Sequence, residues 1–221
     1  MTKDEIHSLC EYYNVGNYSI NDDMSVNANG VVYFNSYSFD EIPIKFNEIN
    51  GSFLCIECDL KSLKNAPNIL SGLGTFECAG NKLETLIGTP KEVTTFDCSH
   101  NKLKTLEGSP EKVDQIYTAS HNRNLTSFKG APEKVKIFVA TNCNIKSFEY
   151  CPDFKHIFLD DNPLDEIWQL FQNADYIEYF NELDIIQENG NVIILDRLNY
   201  FLTDIGKQEI DENDIENYIV E

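Results

Sequence analysis

Basic side chains are scarce, with 17 Lys and Arg against 37 Asp and Glu for a net charge of −20. Gripping a nucleic-acid backbone takes a stripe of cations that displaces counterions from phosphates. No such stripe exists, so direct nucleic-acid binding is disfavoured. Long apolar runs are missing as well. No stretch approaches the roughly 18 apolar residues of a membrane span, and the start, MTKDEI, lacks the basic-then-apolar order of a secretory signal. A cytoplasmic protein with no membrane partner is expected. The seven cysteines are an odd number with no second pair at ligand spacing, and no glycine-rich phosphate loop occurs. Neither a disulfide framework nor a metal or cofactor site is expected.

The acidity is unevenly placed. Residues 1–30 carry −4, residues 31–164 carry −3 and residues 165–221 carry −13. A nearly neutral body therefore precedes an acidic C-terminal region.

That body repeats. The stretch Val93 to Leu103, VTTFDCSHNKL, has the spacing L-x-x-L-x-L-x-x-N-x-L. With Phe96 as position 0, the same row reads Val32, Phe53, Phe76, Phe96, Ile116, Phe138 and Ile157, at intervals of 21, 23, 20, 20, 22 and 19 residues. Such a period marks a solenoid of about seven coils. Position 2 holds Phe34, Cys55, Cys78, Cys98, Thr118, Ala140 and Leu159, which strand alternation turns to the same side as position 0. Leu60, Leu83, Leu103, Leu125, Ile145 and Leu164 form a further core row, and Leu63, Leu86, Leu106, Phe128, Phe148 and Ile167 another. Position 5 holds Cys58, Asn81, Asn101, Cys143 and Asn162, and Asn122, one place later in the lengthened fifth coil, is assigned to the same row. A buried amide there would satisfy backbone groups that a tight turn leaves unpaired. Both cysteines of Cys55-x-x-Cys58 fall on structural rows, so the pair reads as packing rather than redox or zinc chemistry. Pro67, Pro90, Pro110, Pro132 and Pro152 recur on the return side, which is expected to be extended without α-helix.

The phrases FECAGNKLETLIGTPKEVTTFDCSHNKLKTL and LEGSPEKVDQIYTASHN, preceded by NYSINDDMSVNANGVVYFNS, resemble the leucine-rich-repeat-like proteins of tailed bacteriophages and some bacteria. The segment Leu106 to Val113 is also similar to the short repeats of bacterial type III effectors. The resemblance implies a leucine-rich-repeat solenoid, mainly β, with a parallel sheet and an extended convex side. It implies a binding role rather than catalysis, and a viral protein that tunes its host, including by blocking a defence system. The sequence departs from the pattern at Met24, where a glycine is usual after the acidic turn. A ubiquitin-ligase domain of the effector type does not fit in the 53 residues after Trp168.

Four units are expected: a helix and hairpin cap over 1–30, the solenoid over 31–168, a capping helix-hairpin-helix over 169–207 and an acidic tail over 208–221. Thr2 with Glu5 forms a capping-box pattern ahead of Ile6, Leu9, Cys10 and Tyr13, predicting a helix over about 3–13. Tyr18 to Ile20 reads as a short strand running into a turn at Asn21-Asp22-Asp23, Met24 to Ala28 as a second strand, and Asn29-Gly30 as a hairpin turn. This segment should cover the open end of the solenoid. The run Ser25 to Gly30 lacks the acidic residue a calcium loop needs. At the other end, Ile167, Leu170, Phe171 and Ala174 with Trp168 predict a sealing helix. Ile185-Ile186 and Val192 to Leu195 flank a turn at Asn189-Gly190, and Asp196 is placed to cap a helix carrying Leu198, Phe201, Leu202 and Ile205. Tail residues 208–221 hold six acids and no base, a composition that is usually solvated or disordered. The rival reading of the tail is an acidic nucleic-acid mimic anchored by Ile210, Ile215, Tyr218 and Ile219.

The outward strand positions supply the candidate site. Position 1 reads Tyr33, Leu54, Glu77, Asp97, Tyr117, Val139 and Phe158, so five of seven are apolar or aromatic. An exposed row of this make-up suits a protein partner; β-propensity alone, or a terminal segment folded over the row, is the alternative. His100 and His121 recur in Ser-His-Asn of consecutive coils and are expected to stack beside Asp97. No nucleophile is paired with them, so an enzyme built on this pair is the weakest reading. Arg123, in the insertion that lengthens the fifth coil around Arg123-Asn124, is a further contact candidate.

Overall fold

A computed structural model of the protein describes residues 1–72, 74–146, 148, 150–164, 176–187, 192–215 and 218–221. Helix α1 (Lys3–Tyr12) leads into β1 (Tyr18–Ile20) and the long strands β2 (Val26–Asn35) and β3 (Phe46–Ile56). Short strands follow: β4 (Ile69–Ser71), β5 (Thr75–Glu77), β6 (Glu92–Asp97), β7 (Lys112–Thr118), β8 (Lys134–Val139) and β9 (Asp153–Phe158). Among the described residues they form one sheet in the order β1-β2-β3-β5-β6-β7-β8-β9, with β4 also on β3. From β2 onward every pairing is parallel. The chain is thus a mainly-β parallel solenoid of about six turns with coils of about 21 residues. Seven stacked strands bound those six turns.

The core is the stack of repeated rows. Phe53, Phe76, Phe96, Tyr117 and Phe138 are fully buried. Their ring centroids follow one another at 5.3, 5.8, 5.0 and 4.9 Å, an aromatic spine along the solenoid axis. The fourth ring is Tyr117, where the sequence spacing had placed Ile116: Phe96 pairs with Tyr117 and Tyr117 with Phe138, while Ile116 points out. Strand β7 carries one extra residue between Val113 and Tyr117, seen as a register shift opposite Val93 and Thr95. That bulge moves the inward position by one. The Tyr117 hydroxyl reaches Ser109 Oγ at 2.7 Å, so a phenol is accommodated inside the core. With Tyr117 at position 0, Ala119 and Asn122 fall on rows 2 and 5.

The row of amides ties coil to coil. Asn101 donates to the carbonyls of Cys78, Cys98 and Ser99, while its Oδ1 accepts from Leu83 N–H at 3.0 Å. Asn81 does the same for Cys55, Cys78 and Ala79, accepting from Cys58 and Leu60. Asn122 and Asn162 repeat the pattern. Cys143 takes an amide position with a thiol donor to Ala119 O. The residue just before each of them is left-handed: Glu57, Gly80, His100, His121, Asn142 and Asp161 all have φ between +51° and +68°. The chain turns off the strand at this row, and the amide catches the backbone groups freed by the turn.

The return side is extended, as the prolines require, and no α-helix occurs there among the described residues. Leu63, Leu86, Leu106, Phe128 and Phe148 each accept from the N–H three residues on, one tight turn per coil ahead of a buried proline. In three coils the turn uses a glycine. At Gly130, with φ +88°, a β-carbon would stand 2.3 Å from Glu107 N, so neighbouring coils touch backbone to backbone. Cys55 and Cys58 are both buried free thiols on structural rows.

At the N-terminus the Thr2 and Glu5 capping box is present, and Ile6 and Cys10 of α1 are buried against the first coil. Asn29-Gly30 is not a hairpin turn. The turn lies earlier, between Ile20 and Val26, and β2 runs straight through Asn29-Gly30 because Gly30 to Asn35 pair with Gly51 to Ile56 of β3. Long-range pairing overrides the local turn preference. At the C-terminus, α2 (Ile177–Glu182), β10 (Val192–Ile193), α3 (Leu195–Asp204) and β11 (Ile219–Val220) are described. The helix expected around Trp168 and the turn at Asn189-Gly190 lie outside the described residues. Asp196 sits in the first turn of α3 but is not its cap: Ile194 holds that place, and Leu195 N–H is satisfied by Glu221 O at 2.7 Å. The described part of the tail folds back. Asn199 bonds Ile210 through both N–H and C=O, Ile215 is buried, and β11 pairs with β10. Among the described residues no helix is long and apolar enough to cross a membrane.

Replacing Asn101 with Ala leaves Leu83 N–H and the facing carbonyls buried without partners, which costs about 2–4 kcal/mol by the usual desolvation penalties. Urea unfolding should show that loss at unchanged m-value, while the outward Thr95→Ala stays within about 0.5 kcal/mol of the parent.

Candidate protein-binding face

Strands β6 and β8 each present two inward residues separated by two outward ones. Val93 and Phe96 are buried while Thr94 and Thr95 are partly exposed, and Val135 and Phe138 bracket Lys136 and Ile137 in the same way. The outward face therefore has a row on either side of position 0. The row after it reads Tyr33, Leu54, Glu77, Asp97, Thr118, Val139 and Phe158. The row before it contributes Val31, Ile116 and Ile137.

Tyr33 is 51 % exposed and Phe158 48 % exposed, at opposite ends of the face, and Leu54 and Val139 are partly exposed between them. Tyr117 is fully buried in the spine and leaves the face; Thr118 takes its place. Ser99, next to Asp97, is also buried. Its hydroxyl and N–H both donate to Asp97 Oδ1, at 2.5 and 2.8 Å. The sequence expectation covered only the row after position 0 and placed Ile116 in the core; alternation about position 0 turns the residue before it outward as well, and that is the signal that finds Val31 and Ile137.

Glu77 and Asp97 lie side by side in register at the centre of the face. Burial pushes the Glu77 carboxyl up from its ordinary value, and the Asp97 charge adds to the shift. Among the described residues no cation pairs with either. Elsewhere the body's charges cancel between coils off the face: Lys61 with Asp40, Lys82 with Asp59, Lys64 with Glu41 and Lys129 with Glu107. Toward the C-terminal coils the sign changes, since Lys134, Lys136 and Lys155 are exposed with no carboxylate in ion-pair range among the described residues. The face is thus apolar at both ends, acidic in the middle and basic at one border.

His100 and His121 stack with centroids 4.1 Å apart and planes 14° from parallel. Their backbones hold the left-handed turn row, and their N–H groups bond to Ser120 O and Thr141 O. Neighbouring hydroxyls are committed elsewhere, Ser99 to Asp97 and Ser120 to Thr141. Among the described residues no group of three or more His, Cys, Asp or Glu gathers at metal-holding range. The pair presents a flat, polarisable rim to the face. Arg123 is exposed with Asn124 in the extra length between Asn122 and Leu125.

The chain matches no protein-family profile, no characterised protein and no solved structure.

The raised Glu77 carboxyl fixes a sign for pH dependence. Ionising it costs more in the folded chain than in the unfolded one, so its contribution to stability is present below the unfolded carboxylate range and is lost as pH rises through the folded value. Glu77→Gln should accordingly raise the thermal midpoint at pH 7 and leave it unchanged near pH 3. An equal shift at both pH values would show that the side chain acts through packing.

Proposed function

We propose that this protein is a non-enzymatic leucine-rich-repeat interaction module, and that it binds a protein partner through the outward strand face. The observation that supports this most is the exposure of Tyr33, Leu54, Val139 and Phe158 on one continuous surface whose folding requirements are met from the other side. Large side chains exposed in a contiguous patch around a few charges have the make-up of a binding hot spot. The repeat phrases quoted above carry the finer part of the reading, a phage protein acting in the host cytoplasm on a host or viral protein, including a component of a defence system.

The rival reading places binding on the acidic C-terminal region as a nucleic-acid mimic. It draws support from the way Asn199 and β10 hold the described tail in place, which fixes the exposed Glu209 and Glu212 relative to the cap. Enzymatic use of His100 and His121 has no comparable support.

The test is affinity capture from host and infected-cell lysates with three baits, each checked for native circular dichroism. The combined variant Tyr33→Ala, Leu54→Ala, Phe158→Ala should lose a partner that the parent retains, by at least about tenfold. Glu209→Gln with Glu212→Gln should retain it. The reverse pattern would transfer the function to the acidic region.

A further inference from the structure

The N-terminal edge of the sheet is open over most of its length. Strand β1 pairs only with Val26, Asn27 and Ala28 of the ten-residue β2. Asn29 N–H is satisfied from that side by Asn17 O at 3.1 Å, and Ser36 N–H is satisfied from the other side by Ile56 O at 3.0 Å. Strand backbone groups alternate sides, so the N–H and C=O of Val31, Tyr33 and Asn35 point away from β3. Among the described residues nothing accepts or donates to them.

Edge strands are normally blunted by lysine, proline, a bulge or a covering element. Here Val31 is 62 % exposed, Tyr33 and Asn35 are exposed beside it, and none of the six residues from Gly30 to Asn35 is charged or proline. The uncharged run extends over residues 24–39, the longest in a chain whose net charge is −20. At the far end of the sheet β9 carries Asp153, Lys155 and His156 in six residues.

We infer that a second copy of this chain occupies the edge, β2 pairing antiparallel with its own image so that two solenoids share one sheet. Charge selects this occupant. Two molecules at −20 avoid like-charge contact where both are neutral, and the free edge is the longest such segment. A basic partner strand would find no carboxylate along it. The space also fits. β1 occupies the first third of the edge and the chain turns away at Ser36, whose φ is +57°, so the image strand lies between these limits with its own β1 beyond Ser36. The pairing is isologous, closes on itself and uses about six residues from each copy, which makes it a weak, concentration-dependent dimer. It stands independently of what the strand face binds.

Sedimentation equilibrium of the full chain from about 5 to 500 µM tests it, a range chosen for a small interface. A monomer–dimer equilibrium is expected, tightening as salt rises because screening relieves the repulsion between two acidic bodies. Val31→Lys and, separately, Asn35→Pro, which removes an edge N–H without touching a β3 bond, should each weaken association at least tenfold. Phe158→Lys at the opposite end of the face should leave it unchanged. A monomer throughout the range, a dimer that weakens with salt, or one unaffected by both edge variants in natively folded protein would overturn the proposal.

Discussion

Every turn of this solenoid leaves a strand through a left-handed residue, and that departure strands backbone groups in the interior. The amides of Asn81, Asn101, Asn122 and Asn162 bind them, each side chain reaching its own coil and the one before. An amide suits the task because it is at once a double donor and an acceptor on a short arm. Hydrophobic rows alone would stack coils without fixing their rotation. The amide row fixes the rotation, and with it the direction in which each outward side chain points.

This separation of duties explains what could be read from the sequence. The core rows, the amide row, the capping box and the extended return side each repeat or follow a local rule, so spacing alone exposes them. The errors fall where one coil departs from its neighbours or where distant pairing decides. Ile116 and Tyr117 are both good core residues, and only the partnership with Phe96 and Phe138 chooses between them. Asn29-Gly30 has strong turn character, yet β3 offers Gly30 to Asn35 a full ladder. Asp196 looked like a cap because the residue that satisfies the first turn of α3, Glu221, is far away in sequence. For the candidate face, the row after position 0 was legible except at the bulge, whereas the row before it, equally turned outward by alternation, was not singled out, and Ile116 counted as core until the bulge displaced it.

The face itself combines features that act over different ranges. For a partner binding as proposed, the lysines at one border and the carboxylates at the centre would act at a distance and orient the approaching surface. Tyr33, Leu54, Val139 and Phe158 would act only on contact, where removal of water from large side chains would supply most of the energy. Off the face, the intercoil ion pairs are exposed and contribute little to stability. They cancel charge locally, and the field over the sheet is left to the few groups that remain unpaired.

The fifth coil carries two extra residues, one in the β7 bulge and one beside Arg123, yet the aromatic spine and the amide row continue past it without a gap. Each insertion is absorbed within the loop or strand that contains it, because a coil answers only to the two it touches. Length can therefore vary in one coil while its neighbours keep their phase. In evolutionary terms, such a scaffold can revise the outline of its outward face one coil at a time, and descendants that differ by insertions would still share one interior.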